Sequence, residues 1–183
     1  SFFSRFTYDY DDKYLATFTV RRDGYSKLLS NRWGNFPGVS VGWNMHKENF
    51  LSDSKIINTL KLRASYGQNG NVDENLISAY QLQGSYSSAK YDGLAGFQLN
   101  GLPFPDLLWE RSETYEVGLE TRLFNRLDLN VAYYDRRTQD KISNFTLPAT
   151  SGITSIRTNL GNMQNRGLEV DLNYRAIKTA DFT

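Results

Sequence analysis

The stretch LEVDLNYR, residues 168–175, alternates an apolar side chain with a polar one at every position. Because side chains on a β-strand point to opposite faces in turn, this segment as a strand has one apolar face and one charged face. The same alternation occurs in residues 60–66 (LKLRASY) and 115–123 (YEVGLETRL). The sequence therefore predicts a sheet built from two-faced strands.

Two environments satisfy such strands. The charged face must meet water, because burying an unpaired charge is strongly unfavourable. The apolar face must meet either lipid or a second layer of protein. A transmembrane β-barrel has strands of this kind, with a polar side toward a watery lumen. A soluble sandwich produces nearly the same alternation, so the pattern alone leaves both open.

Composition narrows the possible functions. The chain has 183 residues, of which 39% are hydrophobic and 14% aromatic. It contains no cysteine, which excludes disulfides, thiol catalysis and cysteine-ligated zinc. The formal net charge is +1 and no basic tract is present, so nucleic acid is not a predicted partner. No apolar run is long enough to predict a transmembrane helix.

Seven strands are predicted, separated by connections of very different length. The predicted strands are residues 2–10, 13–22, 38–46, 59–67, 112–124, 126–137 and 164–176. The long connections are 23–37, an irregular stretch at 68–111, and 138–163. A medium connection at 47–58 is expected to hold one helical turn, since Ser52, Asp53 and Ser54 offer cap chemistry. In an up-and-down sheet the long loops then lie at one end and the short turns at the other.

This asymmetry favours the membrane barrel. Outer-membrane barrels combine short turns on one side with long loops on the other, and compact soluble domains seldom carry a loop of such length. Tyr8, Tyr10 and Tyr14 fall beside the first short turn, and Tyr66 and Tyr115 fall near the long loop. We interpret them as two aromatic girdles. The predicted fold is an all-β, antiparallel up-and-down segment of a transmembrane β-barrel.

The segment is predicted to be an arc of a larger barrel. We interpret both ends of the chain as cuts through a longer protein, and residues 178–183 as a turn that enters an eighth strand. An open sheet edge in lipid leaves backbone groups unsatisfied, and bacterial single-chain barrels have even strand numbers from about eight upward. We expect residues 1–183 to form one partial barrel domain.

Three glycines interrupt the polar pattern of the strands. Gly67, Gly118 and Gly167 lie near predicted strand ends or on the charged face. Because glycine lets another backbone come close, we expect a neighbouring backbone or a plug inside the barrel to approach there.

The chain carries a series of short motifs. In order they are YDYDDKYL (8–15), RRDG (21–24), RWGNFP (32–37), GW (42–43) followed by Glu48 and Phe50, LKLRASYG (60–67) with Gly70-Asn71, WE (109–110), YEVGLE (115–120), YY (133–134) with Thr138 and Asp140, and NRGLE (165–169). Together they resemble the SusC/RagA family of TonB-dependent outer-membrane transporters, over essentially the whole chain.

The resemblance implies a location, a function and partners. It implies the C-terminal part of a 22-stranded barrel in the outer membrane of a Gram-negative bacterium, with the plug domain and the TonB box outside this chain. Such transporters import oligosaccharides or peptides, energised by the TonB complex, and pair with a SusD-like surface lipoprotein that acts as a lid. No cofactor is implied. The alternatives are a siderophore-type TonB-dependent receptor and a soluble carbohydrate-binding β-domain.

The residues that could support catalysis point away from an enzyme. His46 is the only histidine, so a histidine-based triad or multi-histidine metal site would need residues from elsewhere. Glu110, Glu113, Glu116 and Glu120 could supply a carboxylate pair for glycoside hydrolysis. Because Glu116 and Glu120 share the charged face of one strand, we interpret them as part of a charged wall. We predict no catalytic residues and no metal site.

Substrate contact is predicted for aromatic side chains of the long 68–111 stretch, because aromatic rings stack on sugar rings. The group comprises Tyr80, Tyr86, Tyr91, Phe97, Phe104 and Trp109. The alternative is that these rings pack the loop against itself or against the lid protein. Lipid is the expected partner of the apolar face.

Overall fold

The structure is a computed structural model that describes residues 1–52, 54–72, 81–153 and 155–176. Eleven strands lie in this part of the chain: β1 (Phe2–Tyr10), β2 (Tyr14–Gly24), β3 (Trp33–Asn44), β4 (Ile57–Asn71), β5 (Ser85–Tyr91), β6 (Leu94–Gly101), β7 (Glu110–Leu123), β8 (Leu127–Gln139), β9 (Ile142–Thr146), β10 (Ser155–Asn159) and β11 (Met163–Tyr174). Its helices are single 3₁₀ turns at Met45–Lys47, Gln81–Gln83 and Ala149–Ser151. None of these helices is long and apolar enough to cross a membrane.

Seven strands form one sheet in the order β1-β2-β3-β4-β7-β8-β11. Each strand pairs antiparallel with the next strand of the sheet along the chain. The up-and-down arrangement and the seven main strands predicted from the sequence are confirmed. The partial eighth strand predicted after residue 177 lies outside the described residues.

The two longest connections are more regular than predicted. The stretch predicted as irregular at 68–111 contains the β5–β6 hairpin, and the loop predicted at 138–163 contains the β9–β10 hairpin. The first has a readable signal: Asp92 and Gly93 connect its strands with φ values of 46° and 78°. An Asp-Gly pair with positive φ at both positions is the preferred two-residue turn of a hairpin.

Several strand boundaries also differ from the prediction. β3 begins at Trp33 rather than at residue 38, because its backbone pairs with β2 from Trp33 onward, whereas pairing with β4 starts only at Gly38. A proline is tolerated at position 37 for that reason. The helical turn expected within 47–58 lies at Met45–Lys47 instead. The proposed cap residue Asp53 lies outside the described residues.

The strand register collects the alternating side chains onto two common faces. One row of directly opposed residues crosses β2, β3, β4 and β7 at Phe18, Val39, Tyr66 and Tyr115. We call the face that carries this row the apolar face. The opposite face, the charged face, carries side chains such as Arg63 on β4.

The apolar face is a band that slants across the sheet. Its upper border, toward the long loops, is at Arg22 on β2 and at Arg166 on β11. The residue of β2 that lies level with Arg166 in the strand pairing is Phe18, four residues before Arg22. The upper border is therefore four residues lower on β11 than on β2. Its lower border moves by the same amount, from Tyr14 on β2 to Tyr174 on β11. With standard strand spacings, the shift is about 13 Å along the strands over about 24 Å across the sheet from β2 to β11. The band therefore slopes by about 30°. Barrel strands tilt by a similar angle, so the band is level in a flat bilayer.

Nothing within the described part of the chain covers the apolar face. Phe6 is 67% exposed, Val39 44% and Leu172 61%. An exposed apolar surface of this extent needs a covering medium, because burial of apolar area is the main favourable term in folding. The sheet is therefore one protein layer with an apolar medium on one side.

The two faces should differ sharply in their tolerance of charge. We expect Val39→Arg in the intact protein to destabilise the folded barrel by about 2–4 kcal/mol, since this places a cation in the apolar band. The adjacent Ser40→Arg, on the charged face of the same strand, should cost much less. Urea unfolding in lipid vesicles measures both. Equal destabilisation by the two variants would contradict the assignment of the faces.

Candidate functional site

The long loops carry a small hydrophobic core of their own at one end of the sheet. We call this cluster the loop core: its buried members are Leu28, Leu82, Leu107 and Ile142, and the partly buried residues packed against them are Tyr25, Leu29, Val72, Phe104 and Trp109. These residues come from loops that are far apart in the chain. The loops above the sheet are thus packed against one another.

Two asparagines tie the loop backbones together. Asn159 accepts a hydrogen bond from the amide of Leu108 (2.8 Å) and donates to the carbonyls of Leu108 (3.0 Å) and Asp140 (2.7 Å). Asn31 accepts a hydrogen bond at its carbonyl from the indole Nε1 of Trp109 (3.0 Å). Hydrogen bonds of this kind between partly buried polar groups favour one loop arrangement, because leaving such groups unpaired is unfavourable.

Glu110 fastens the loop core to the sheet. Its side chain is buried, with 8% exposure, and its carboxylate accepts hydrogen bonds from the amide of Ile142 (2.7 Å) and from Asn71 Nδ2 (3.1 Å). A buried carboxylate needs such donors. In the sequence, Glu110 stood out as a member of the WE motif and as one of four carboxylates considered for glycoside hydrolysis. In the structure Glu110 is the first residue of β7, and its structural role depends on a contact with Ile142, which is 32 residues away in the chain.

The six aromatic residues predicted to contact substrate divide into two groups. Phe104 and Trp109 pack against the loop core, which is the alternative considered from the sequence. Tyr86, Tyr91 and Phe97 lie on the β5–β6 hairpin and are 74%, 87% and 85% exposed. The sixth, Tyr80, lies outside the described residues. Contact with substrate remains a prediction for all six.

The charged face carries ion pairs between neighbouring strands. Arg63 on β4 pairs with Glu116 on β7, and its Nε lies 3.0 Å from Glu120 Oε1. One guanidinium thus engages two of the four carboxylates that were considered for glycoside hydrolysis. This matches a charged wall, as the sequence suggested.

Two of the three predicted glycine contacts are with side chains rather than with a backbone. A Cβ at Gly118 would lie 2.7 Å from Arg63 Nε, and one at Gly167 would lie 2.8 Å from the Tyr134 ring. Long side chains of adjacent strands therefore lie flat across these glycines. A Cβ at Gly67 would meet no described atom within 4 Å, so the approach of a plug there stays a prediction.

At the opposite end of the sheet, Glu48 holds two aromatic side chains of the apolar face. Its Oε1 accepts hydrogen bonds from the Tyr14 hydroxyl (2.7 Å) and from Trp43 Nε1 (3.2 Å). The two rings stack with their centroids 6.3 Å apart. Aromatic rings with a polar tip suit the border of a membrane, where one end is apolar and the other is wet. Tyr14 thus lies where the girdle beside the first short turn was predicted, and its contact with the membrane border stays a prediction.

The charges around Glu48 stabilise its ionised form. Hydrogen bonds from Tyr14 and then from Trp43 lower the pKa of the Glu48 carboxyl below its ordinary value of 4.5. Lys13 Nζ lies 3.7 Å from Glu48 Oε2 and 3.4 Å from Asp11 Oδ2. The hydrogen bond to Asp11 raises the pKa of Lys13, and attraction to Glu48 adds to it.

No metal site is formed by the residues that the structure describes, since no three of their imidazole and carboxylate groups converge on one point. The Nδ1 atom of His46 lies 3.2 Å from the carbonyl oxygen of Leu60, which gives it a structural contact. The absence of metal from the intact protein stays a prediction.

Comparison with known proteins identifies related sequences along the whole chain. A family model described as TonB dependent receptor-like, beta-barrel matches residues 1–183. TonB-dependent receptor P3 of Formosa agariphila is 42% identical over 190 residues, which cover 100% of this chain and 19% of that protein. TonB-dependent receptor SusC of Bacteroides thetaiotaomicron is 32% identical over 191 residues, again 100% of this chain and 19% of that protein. The chain thus spans about a fifth of the length of these relatives.

Solved structures of outer-membrane importers and receptors also superpose on this chain. A structure of the RagAB peptide importer superposes with a TM-score of 0.86 at 31% identity and covers 97% of this chain and 20% of that chain. The siderophore receptor PirA of Pseudomonas aeruginosa superposes with a TM-score of 0.62 at 15% identity, over 93% of this chain and 30% of that chain. The second likeness shows the fold alone.

The Glu48 contacts should make stability depend on pH. A lowered pKa means that the carboxylate stabilises the folded state above pH 4.5 and that this contribution is lost as the pH falls through the pKa of the folded protein. We therefore expect Glu48→Gln to lower the unfolding temperature of the intact protein at pH 7 and to have little effect near pH 3. Heat-modifiable migration on unboiled gels measures this.

The matched control for this prediction is Glu169→Gln, at an exposed position on the charged face of β11. It should change stability little at either pH. If the deficit of the Glu48 variant were as large near pH 3 as at pH 7, the ionised carboxylate would not be the source of the stability.

Proposed function

Because the chain belongs to the TonB dependent receptor-like β-barrel family, we propose that it forms part of the barrel wall of an active transporter importing oligosaccharides or peptides. Family membership and the SusC and RagAB relatives place the protein in the outer membrane. Its proposed partners are a SusD-like lipoprotein lid and the TonB complex, which supplies energy through parts of the protein outside this chain.

The observation that carries this proposal is that the chain is more similar to a solved peptide importer than to a solved siderophore receptor. The RagAB peptide importer matches at 31% identity and a TM-score of 0.86, whereas the siderophore receptor matches at 15% and 0.62. SusC is among the sequence relatives as well. This supports a SusC/RagA-type importer over the siderophore-type alternative.

The loop core supports a role in binding a partner or cargo for the end of the wall that carries the long loops. Loops held by Asn159, Asn31 and Glu110 present a defined surface, which a lid protein could recognise with little loss of conformational entropy. The β5–β6 hairpin adds exposed aromatic rings at this end. Such rings are suited to contacts with sugars, peptides or a partner protein.

The carboxylates of the charged face argue against an enzymatic role. The relatives are receptors, and the carboxylates of Glu116 and Glu120 are both engaged by Arg63. A general acid and a nucleophile would need separate environments that push their pKa values apart. We therefore assign the charged face of this chain a structural role in the lumen wall.

Uptake by the full-length receptor tests the proposal. Cells with the intact receptor should accumulate a labelled oligosaccharide or peptide only when TonB and the lipoprotein encoded beside the receptor are both present. Testing a panel of both cargo types, with a ferric siderophore as comparison, separates the alternatives. TonB-dependent uptake of the siderophore alone, with no need for a lipoprotein, would replace this proposal with the siderophore receptor.

The two groups of aromatic residues should respond differently to truncation. We expect the combined Tyr86→Ala, Tyr91→Ala and Phe97→Ala variant to reduce cargo or lid binding several-fold while barrel stability stays unchanged, since these rings are exposed. Trp109→Ala should instead loosen the loops at a cost of about 3 kcal/mol, because the indole packs in the loop core. Binding assays and hydrogen exchange of the loops measure the two effects. Unchanged binding by the triple variant would remove these rings from the candidate contact residues.

A further inference from the structure

The apolar face changes character abruptly on β8 and β11. Tyr133 is paired with Leu168, and two residues further toward the loop end Asp135 is paired with Arg166. The next pair on the same face is Arg137 with Gln164. Arginines therefore follow directly above the apolar band, on the side of the sheet that faces away from the barrel lumen.

Four side chains here form a connected group, which we call the outer arginine cluster: Asp135, Arg137, Gln164 and Arg166. Arg137 donates to Asp135 from Nη2 (3.0 Å) and Nε (3.4 Å), and Arg166 donates to it from Nε (3.1 Å). Gln164 Nε2 donates to the two oxygens of the same carboxylate at 2.8 and 3.1 Å. Asp135 thus holds two guanidinium groups side by side.

The cluster keeps donors available for a ligand. The side chains of Arg137 and Arg166 are 47% and 55% exposed, whereas that of Asp135 is only 14% exposed. The Nη1 atoms of both arginines make no hydrogen bond to a described residue. Guanidinium groups bind phosphate oxygens through paired N–H donors, and a fixed orientation lowers the entropy lost on binding.

The surrounding charge is favourable to an anion. On β7, Glu113 is paired with Arg137, and Arg111 lies two residues further along the same face. Gln68 Nε2 donates to Glu113 at 3.4 Å. Three arginines thus face two carboxylates, which leaves this surface with a net positive charge.

We propose that the outer arginine cluster binds phosphate groups of lipid headgroups in the outer leaflet, because the cluster lies toward the long loops, which are extracellular in outer-membrane barrels. Its depth supports this occupant, since Tyr133 and Leu168 directly below it lie in the apolar band and aromatic belts sit at headgroup level. Basic groups beside a membrane-spanning segment attract anionic headgroups. The proposal depends on which face meets lipid and does not depend on the cargo.

Native mass spectrometry of the full-length receptor in mild detergent tests this proposal. The probe is bisphosphorylated lipid A, compared with the same lipid after phosphatase treatment. Wild-type receptor should retain the phosphorylated lipid at least about fivefold more than the dephosphorylated one. The R137Q/R166Q double variant should lose most of this preference.

The matched control is R136Q, because Arg136 is the residue between the two outward positions and lies on the charged face. It should retain the phosphorylated lipid like the wild type. The single variants R137Q and R166Q keep the test decisive if the double variant does not assemble, and each should bind at least about twofold less. Equal retention by wild type and arginine variants, or no dependence of the wild type on the phosphates, would overturn the proposal. Loss of lid binding without loss of lipid would assign the cluster to a protein contact instead.

Discussion

The requirement that each strand meet an apolar medium on one face and water on the other governs this structure. Within the sheet, backbone groups are paired between neighbouring strands, and in the described residues only the outer edges of β1 and β11 have no partner strand. The register then brings side chains of like character into common rows, from Phe18 across to Tyr115. The slant of the apolar band follows from the same constraint, because tilted strands must present a level band to a flat bilayer.

Packing of a conventional kind occurs away from that wall. The buried members of the loop core, such as Leu28 and Leu107, belong to the connections and not to the sheet. Ala132 is one of the few buried apolar side chains on a main strand. The wall is therefore held by strand pairing and its surrounding medium, while the loop end has its own hydrophobic core. Because of this division, the loop sequences can change without altering the wall.

Much of the fold could be predicted from the sequence, because period-two alternation is a local signal. The strand at Phe2–Tyr10 was predicted with the bounds observed, and Tyr14 was placed correctly beside the first short turn. The β9–β10 hairpin was missed because residues 147–154 join its strands, and a connection of this length is not the two-residue turn that identifies a hairpin in a sequence. The loop core was missed for a different reason: contacts such as that between Trp109 and Asn31 join residues far apart in the chain. The sequence identified the aromatic residues of the β5–β6 hairpin and Trp109 as one group. It could not show that the hairpin rings are exposed while Trp109 is packed in the loop core, because that difference depends on tertiary contacts.

The orientation of the two faces is the central claim, and spin-label accessibility on β11 tests it most directly. Single nitroxide labels at residues 168 to 172 of the intact receptor in lipid vesicles would be exposed in turn to oxygen, which concentrates in lipid, and to a water-soluble nickel complex. We expect strict alternation, with Leu168, Val170 and Leu172 accessible to oxygen and Glu169 and Asp171 accessible to nickel. Uniform accessibility along the strand, or the opposite phase, would contradict it.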